Sequence, residues 1–466
     1  MRRVLILTLS TALSGCMVGP DYQRPAMTAP PAYKEAAGWV QAQPADAAPK
    51  GDWWELFNDP ELNKLEPLVS VNNQTLAADY AAFEQAEAIT DEVRGQLFPT
   101  IGLTGSATRA SSQGSGVASG PHTSGTFEGS VSWSPDIWGK IRRQIQANAA
   151  AAQASAADLA NATLSEQALL ATDYVSMRGA DAQITLLQQT VTAYQRSLQI
   201  TQNQFNAGVA TPLDVITARA QLEGAQAQLI SAGEARAQYE HAIAVLVGHA
   251  PADLSLPPGQ QIAALPEIPV GVPSTLLQRR PDIAAAERVM AENNAQIGVA
   301  IGAFYPAISL SALGGFSANP VTSLFSLSNA LWSLGSSASE TIFNGGTRSA
   351  TVAAAQFGYQ ASIATYRQTV LTAFQQVEDD LSNLRILAQQ AVVEQAAVAD
   401  AARAVQIALN EYQAGTQAYT TVVSAQATLF NDQQTALSVQ QDRLLASISL
   451  IQALGGGWQP SDLPKG

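Results

Sequence analysis

The residue best able to carry chemistry in this chain is its only cysteine, Cys16. It follows a basic start, an apolar stretch from Val4 to Ala12, and two small residues, Ser14 and Gly15. This three-part order is typical of a bacterial secretory signal. Small residues directly before a cysteine resemble a lipobox, which implies cleavage before Cys16 and covalent lipid on that residue. The alternative is a cysteine that stands by chance at the end of a signal peptide.

Other residue types that could bind a metal or catalyse a reaction are sparse. The three histidines, His122, His241 and His249, are widely separated, and no second cysteine accompanies them. The sequence therefore predicts no metal site. It contains no Ser/His/Asp or phosphate-loop pattern, so we expect neither an enzyme nor a cofactor beyond the lipid on Cys16. The net charge of −14 argues against a nucleic-acid partner.

One charged cluster allows two interpretations. Arg279, Arg280 and Asp282 flank Pro281 and could bind an anion or act in catalysis. A helix that begins at Pro281, with Asp282 in its first turn, accounts for the same residues. We favour the helix start, because it explains all four residues together.

The elements that position these residues come in two copies with a fixed offset of 207 residues. Three separated segments return at that offset: 95–103 as 302–310, 205–208 as 412–415, and 215–218 as 422–425. Nearly the whole chain is therefore a tandem duplication of one unit. The predicted divisions are a signal peptide (1–15), a lipidated tether (16–60), the first repeat (61–247), a proline-rich connector (248–280), the second repeat (281–457) and a C-terminal tail (458–466).

Each unit is predicted to contain a helix, two strands, a very long helix and a shorter one. Alternating apolar and polar residues predict the strands, and a heptad pattern without proline predicts the long helices. The predicted helices are 76–97, 139–205, 213–247, 281–302, 347–412 and 422–454, and the predicted strands are 100–109, 127–134, 307–317 and 330–339. Residues 111–125 read as a Ser/Gly loop. Trp53 and Trp54 in the tether are expected to dock on the folded body.

The strands and the long helices require different surroundings. Each strand has one apolar and one polar face and is close to the ~9–11 residues that cross a bilayer. The helices are too polar for lipid, and no internal apolar run is long enough for a membrane-spanning helix. Four strands cannot close a barrel, and open sheet edges do not survive in hydrocarbon. The chain is therefore predicted to oligomerise and to share one barrel.

The chain resembles an outer-membrane factor of tripartite efflux pumps, of the TolC/OprM-like, NodT-type lipoprotein branch. The resemblance covers almost the full length and is carried by five segments in order: 16–25, Trp53–Trp54, 59–62, 276–287 and 453–458. It implies a homotrimer with a 12-stranded outer-membrane barrel that continues into a 12-helix periplasmic tunnel. Met17 after the cysteine favours export to the outer membrane, by resemblance to bacterial lipoproteins.

The resemblance also implies a function and partners. The trimer would be a passive exit duct for small molecules, lipid-anchored in the outer membrane and loaded by a periplasmic adaptor and an inner-membrane pump. The same duct could instead serve a type I protein-secretion system. A lipid-anchored coiled-coil structural protein or adhesin is an alternative of another class, although the paired amphipathic strands count against it.

The turns between the long and short helices are the predicted periplasmic tip, where the family's tunnels close and partners dock. The candidate gate residues are Gly208, Asp214, Tyr412, Gly415, Gln417, Thr421 and Ser424. Asp214 and Tyr412 match the family's charged and tyrosine positions. Gln417 replaces a frequent arginine, and Thr421 and Ser424 replace frequent aspartates. We therefore hypothesise that neutral hydrogen bonds hold this tip, in which case substituting Asp214 and Tyr412 together raises the channel conductance. A first-turn helix carboxylate is an equal reading of Asp214.

Two arginines inside apolar heptad positions, Arg236 and Arg443, also lie 207 residues apart. Their side chains could pair across helices or extend to solvent, and the sequence favours neither.

Overall fold

The computed structural model describes residues 17–27, 29–35, 52–111, 113–114, 117–118, 121–262, 265–266, 268, 279–459 and 463. The predicted signal peptide and Cys16 lie outside these residues. The helices are α1 (Leu62–Asn72), α2 (Gln74–Gly95), α3 (Lys140–Asn206), α4 (Pro212–Leu246), α5 (Pro281–Gly302), α6 (Thr347–Gln413) and α7 (Tyr419–Ala453). The strands are β1 (Thr100–Ala110), β2 (His122–Trp133), β3 (Ala307–Ala318) and β4 (Ala330–Ser339). A short 3-10 helix, Trp53–Phe57, precedes α1, and two-residue strands, Gln113–Gly114 and Val117–Ala118, pair in the loop after β1.

The duplication seen in the sequence is present in the fold. Helices α3 and α6 are each 67 residues long, which corresponds to about 100 Å. Each follows a glycine with positive φ, Gly139 at 75° and Gly346 at 88°, a backbone conformation that favours glycine. The predicted order of helix, two strands, long helix and short helix is confirmed in both repeats.

One helix and two boundaries differ from the predictions. Helix α1 was not predicted, because it carries Pro67 in its interior and so lacks an obvious helical pattern. Strand β2 begins at His122, so the prediction of a loop as far as Gly125 was wrong; these first residues are small or polar and show no alternation. Helix α7 begins at Tyr419 rather than Val422, because Tyr419 is buried against the preceding helix.

The short helices pack along the long ones. In the first repeat α2 and α4 both contact α3, so two short helices lie beside one long helix. In the second repeat α5 and α7 both contact α6, and both also contact α3. The two repeats therefore form one body, with α3 at its centre. No helix among the described residues is long and apolar enough to cross a membrane.

The tryptophans of the tether dock on the folded body, as predicted. Trp53 and Trp54 are 3% and 4% exposed and belong to the main apolar core together with Phe57. Beside them the Tyr174 hydroxyl on α3 donates to the Asp59 carboxylate at 2.8 Å. The end of the tether is therefore held by α3.

A buried ion network fixes the connector to the first repeat. The Asp181 carboxylate on α3 is 4% exposed and pairs with Arg178 at 3.0 Å and with Arg236 of α4 at 2.7 Å. It also accepts a hydrogen bond from the backbone N–H of Gly259 in the connector. Arg236 donates in turn to the carbonyl oxygen of Leu256. The network ties α3, α4 and the connector together.

The two repeat-related arginines offer a matched test of this network. Among the described residues, Arg236 pairs with Asp181 and Glu240, whereas Arg443 forms no ion pair and donates to the amide oxygen of Gln440 at 3.4 Å. Arg236→Gln should destabilise the fold by about 3 kcal/mol, because it leaves buried carboxylates with fewer partners. Arg443→Gln should change stability by less than about 0.5 kcal/mol. Denaturant unfolding followed by helical circular dichroism measures both, and equal losses would contradict the assignment.

Candidate functional site

The four strands form one antiparallel sheet in the order β1-β2-β3-β4. The register places Ile101 opposite Val131 and Gly129 opposite Gly314. Residues opposite each other share a face of a sheet, so the register decides which side chains lie together. In this register the two repeats contribute to the same two faces.

One face of the sheet is apolar and the other is polar, as the alternation predicted. The apolar face carries Ile101, Leu103, Phe127, Val131, Trp133, Ile308, Leu310, Ala312, Phe316, Trp332 and Leu334. Several of its side chains are exposed: Ile101 is 79% exposed, Trp332 78% and Leu334 77%. On the polar face the hydroxyls of Ser106 and Thr126 are 2.8 Å apart. A wide exposed apolar surface on a sheet is typical of contact with lipid.

The sheet has two unpaired edges. Strands β1 and β4 each pair on one side only within the described part of the chain. Such an edge presents a row of unbonded N–H and C=O groups. In hydrocarbon those groups have no water to bond, so the edges need another strand.

The segment that follows Cys16 is held where the sheet meets the helices. Met17 packs so closely on Gly139 that a Cβ there would lie within 3 Å of it. Gly139 stands between the end of β2 and the start of α3. The backbone N–H of Val18 donates to the Trp138 carbonyl at 3.1 Å. The first residue after Cys16 is thus at the boundary between the lipid-facing sheet and the helices.

From this boundary the tether runs first against α3 and then along α6 of the second repeat. The Arg143 guanidinium is buried and donates to the carbonyl oxygens of Val18 and Gly19. Farther on, the Glu35 carboxylate pairs with Arg385 of α6 at 2.6 Å. Arg385 is the repeat equivalent of Arg178, which holds the connector. Equivalent arginines therefore hold the extended segment that precedes each repeat.

The helix hairpins end in glycines, as the sequence indicated. Gly208 has φ of 78° and Gly415 of 72°, and a side chain at either would meet open space. Asp214 belongs to a capping box in which its carboxylate accepts from the Thr211 backbone and the Thr211 hydroxyl accepts from the Asp214 backbone. The reading of Asp214 as a first-turn carboxylate fits this local geometry.

Three further candidates bond only within their own hairpin. The Thr421 hydroxyl donates to the Gln417 amide oxygen at 3.4 Å, and the Ser424 hydroxyl donates to the Thr420 carbonyl at 3.0 Å. All three side chains of this group lie on or beside the first turns of α7. A role at a gate remains a prediction for each of them.

Two hydrogen bonds join the hairpins of one protomer near their tips. The Gln204 amide on α3 donates to the Tyr412 carbonyl at 3.0 Å. The Gln426 amide on α7 donates to the buried Ser197 hydroxyl at 2.8 Å. Both bonds are neutral and cross from one repeat to the other. They are the contacts that a neutral latch would use.

A tyrosine pair packs between the same hairpins. The rings of Tyr412 and Tyr419 are 5.2 Å apart, and both are buried in a small core with Ala218 of α4. Burial raises the pKa of Tyr419 to about 12, so its hydroxyl stays protonated at neutral pH. The negative charge of Asp214 also raises the pKa of both tyrosines. Among the described residues, the hydrogen bonds of Asp214 are with Thr211 and none joins it to Tyr412.

Sequence reasoning missed Ser197, Gln204, Tyr419 and Gln426. A signal was available for Tyr419, because its repeat equivalent is Pro212 and the departure marks a position with its own role. The glutamines and the serine carry no such signal, because polar residues at heptad positions are common on the surfaces of long helices.

The cluster around Pro281 is a helix start. Pro281 is the first residue of α5, and Asp282 lies in its first turn. The Arg280 guanidinium donates to the Asp282 carboxylate at 2.6 Å and to the carbonyl oxygen of Ala453 at the end of α7. The favoured interpretation is confirmed, and the arginine joins the end of one helix to the start of another.

These features are those of a known family of outer-membrane channels. A profile of the outer membrane efflux protein family matches residues 67–249 and 272–456. The solvent efflux pump outer membrane protein SrpC of Pseudomonas putida is 32% identical over 459 residues, which cover 96% of this chain and 97% of SrpC. The cation efflux system protein CusC of Escherichia coli is 29% identical over 463 residues, which cover 98% of this chain and 99% of CusC.

Solved structures of outer-membrane channels have the same fold as this chain. The outer-membrane channel OprN superposes with a TM-score of 0.88 at 30% identity, covering 95% of this chain and 100% of OprN. The open state of the MtrE outer membrane channel of Neisseria gonorrhoeae superposes with a TM-score of 0.83 at 26% identity, covering 96% of this chain and 99% of MtrE. The chain belongs to the outer membrane efflux protein family, a family of channel proteins. It is an outer-membrane efflux channel with a large periplasmic helical portion.

The hydrogen bonds between the hairpins can be tested directly. Gln204→Leu combined with Gln426→Leu removes both, and each bond contributes about 1 kcal/mol. We expect the double variant to raise the single-channel conductance in planar bilayers, because the hairpins separate more readily. Gln417→Leu is the control, since among the described residues Gln417 bonds within its own hairpin, to Thr421. An unchanged conductance in the double variant would exclude a latch made by these two bonds.

Proposed function

We propose that three copies of this chain form one exit duct across the outer membrane. The observation that carries the proposal is the sheet, which joins an exposed apolar face to two unpaired edges. Four strands cannot close, whereas three copies supply the twelve strands of a closed barrel. Closure pairs every edge, and the apolar face then meets lipid. The long hairpins of three copies continue the barrel as a tunnel in the periplasm.

Cys16 is the proposed anchor of each copy. The supporting observation is the place of Met17 beside Gly139, where the lipid-facing sheet ends. Met17 is the residue that directly follows Cys16 in the chain. We propose that acyl chains on Cys16 enter the inner leaflet of the outer membrane. Two or more chains anchor stably, at about 0.8 kcal/mol per buried methylene.

The partners follow from membership of the family. A periplasmic adaptor and an inner-membrane pump would load the duct at the hairpin tips, where Gly208 and Gly415 lie. The transport itself needs no catalytic group in this chain, because the pump supplies the energy. Relatives are named for solvents, toluene, antibiotics and cations. Such varied cargo on similar ducts supports small-molecule efflux in which the pump and adaptor select the substrate.

The two faces of β4 give a matched test of the barrel. Leu334 lies on the exposed apolar face, and its neighbour Ser333 lies on the opposite face, across from Leu313. Leu334→Arg should reduce membrane insertion, because an arginine on a lipid face costs about 2–4 kcal/mol at mid-membrane. Ser333→Arg should insert normally, because its side chain faces the lumen. Heat-stable trimer in outer-membrane fractions measures insertion, and equal yields for the two variants would contradict the proposed orientation.

The tip gives a test of the partners. Thr416 lies beside Gly415, and its hydroxyl bonds only to the Glu411 carbonyl of its own hairpin. Thr416→Cys should crosslink in living cells to the adaptor of a proton-driven efflux pump, with Thr435→Cys, in the middle of α7, as the control. Capture of an ATP-driven protein exporter's adaptor would establish protein secretion instead. Capture of neither would contradict loading at this tip.

A further inference from the structure

The acidic side chain of Glu66 is enclosed in the protein. Glu66 is 0% exposed, and neither carboxyl oxygen has a hydrogen-bond partner among the described residues. An ionised carboxylate without a partner is very costly in such a place, far more than a neutral acid. The geometry therefore requires that Glu66 hold its proton in the folded protein.

Glu66 lies on the face of α1 that packs against the body. The buried residues of this helix are Leu62, Leu65, Glu66 and Val69, at the spacing of one helical face. Helix α1 contacts α3 and the short 3-10 helix before it. The next residue, Pro67, has no N–H that a neighbouring carboxyl could accept from. We call residues 53–72, the 3-10 helix and α1, the collar.

Several of the charged groups around the collar are paired with other residues. Glu61 pairs with Lys64 at 2.9 Å, Asp59 accepts from Tyr174, and Glu166 accepts from Asn73. The titratable groups of the elements packed on α1 are Glu55, Asp59, Glu61, Lys64, Glu166, Asp173, Tyr174, His241 and His249. None of them shifts Glu66: burial alone raises the pKa of its carboxyl, to about 9.

We propose that docking of the collar onto α3 depends on the proton held by Glu66. When the collar opens, water reaches the carboxyl, which then ionises at its ordinary value of about 4.3. Between the pKa of Glu66 in the open collar and its pKa in the docked collar, each opening therefore releases one proton. Docking is strongest when the pH is below the pKa in the open collar, and it weakens as the pH rises towards 9.

The collar matters because it ends at a junction of three helices. Asn73, directly after α1, donates to the Leu246 carbonyl at the end of α4 and to Glu166 of α3. Its side-chain oxygen caps α2 by accepting from the Thr75 and Leu76 backbones. Release of the collar would loosen the point where α2 meets α4 beside α3. Glu66 thus makes this junction of the tunnel wall sensitive to alkaline pH.

Hydrogen exchange of the assembled full-length protein tests the proposal. The protection factors of peptides covering α1 are measured by mass spectrometry between pH 6 and 9, each corrected for the intrinsic exchange rate. In the unmodified chain they should fall about tenfold per pH unit, because one proton is lost on opening. Glu66→Gln carries no titrating proton, so its protection should be independent of pH and higher at pH 8.

Controls separate the proton from the side chain. Glu61→Gln, which removes the partly exposed acid directly before the same helix, should keep the tenfold slope. Glu66→Met, which fills a similar volume without a titrating group, should give the same flat profile as Glu66→Gln. A flat profile in the unmodified chain, or the full slope in Glu66→Gln, would overturn the proposal.

Discussion

An open sheet edge in hydrocarbon leaves its backbone N–H and C=O groups without partners, and the rest of this structure depends on that constraint. Strands β1 and β4 are both edges within one copy. The apolar face of the sheet prevents it from remaining in water, and the edges prevent it from remaining alone in lipid. One copy is therefore incomplete, and a closed assembly is the state in which every strand is paired.

The two repeats share the same helices and strands, whereas several equivalent side chains make different contacts. The two 67-residue helices and the two strand pairs are near copies. Yet Arg236 enters a buried ion network, whereas Arg443 donates to an amide oxygen and has no ion pair within the described part of the chain. Where Pro212 begins α4, Tyr419 packs into the core between the hairpins. Ion pairs thus hold the first hairpin to the connector, whereas neutral contacts join the second hairpin to the first.

Much of the fold could be predicted from the sequence, because long proline-free heptads and alternating strands are local patterns. Both long helices and all four strands were found in this way. Helix α1 was missed because it is short and contains Pro67, and its burial depends on α3, about 100 residues later. The glutamine bonds between hairpins and the enclosed Glu66 depend on distant packing, which local patterns do not report. The tip glycines followed from turn chemistry. For Tyr419 the sequence shows its departure from Pro212, whereas its packing on Tyr412 required the three-dimensional arrangement.

The central claim is that the sheet is closed by other copies of the chain. Native mass spectrometry of the protein extracted from outer membranes tests it most directly. We expect a mass of three chains, each lacking residues 1–15 and carrying acyl groups on Cys16. A single-chain mass from functional, membrane-inserted protein would contradict the account, because it would leave β1 and β4 unpaired in lipid.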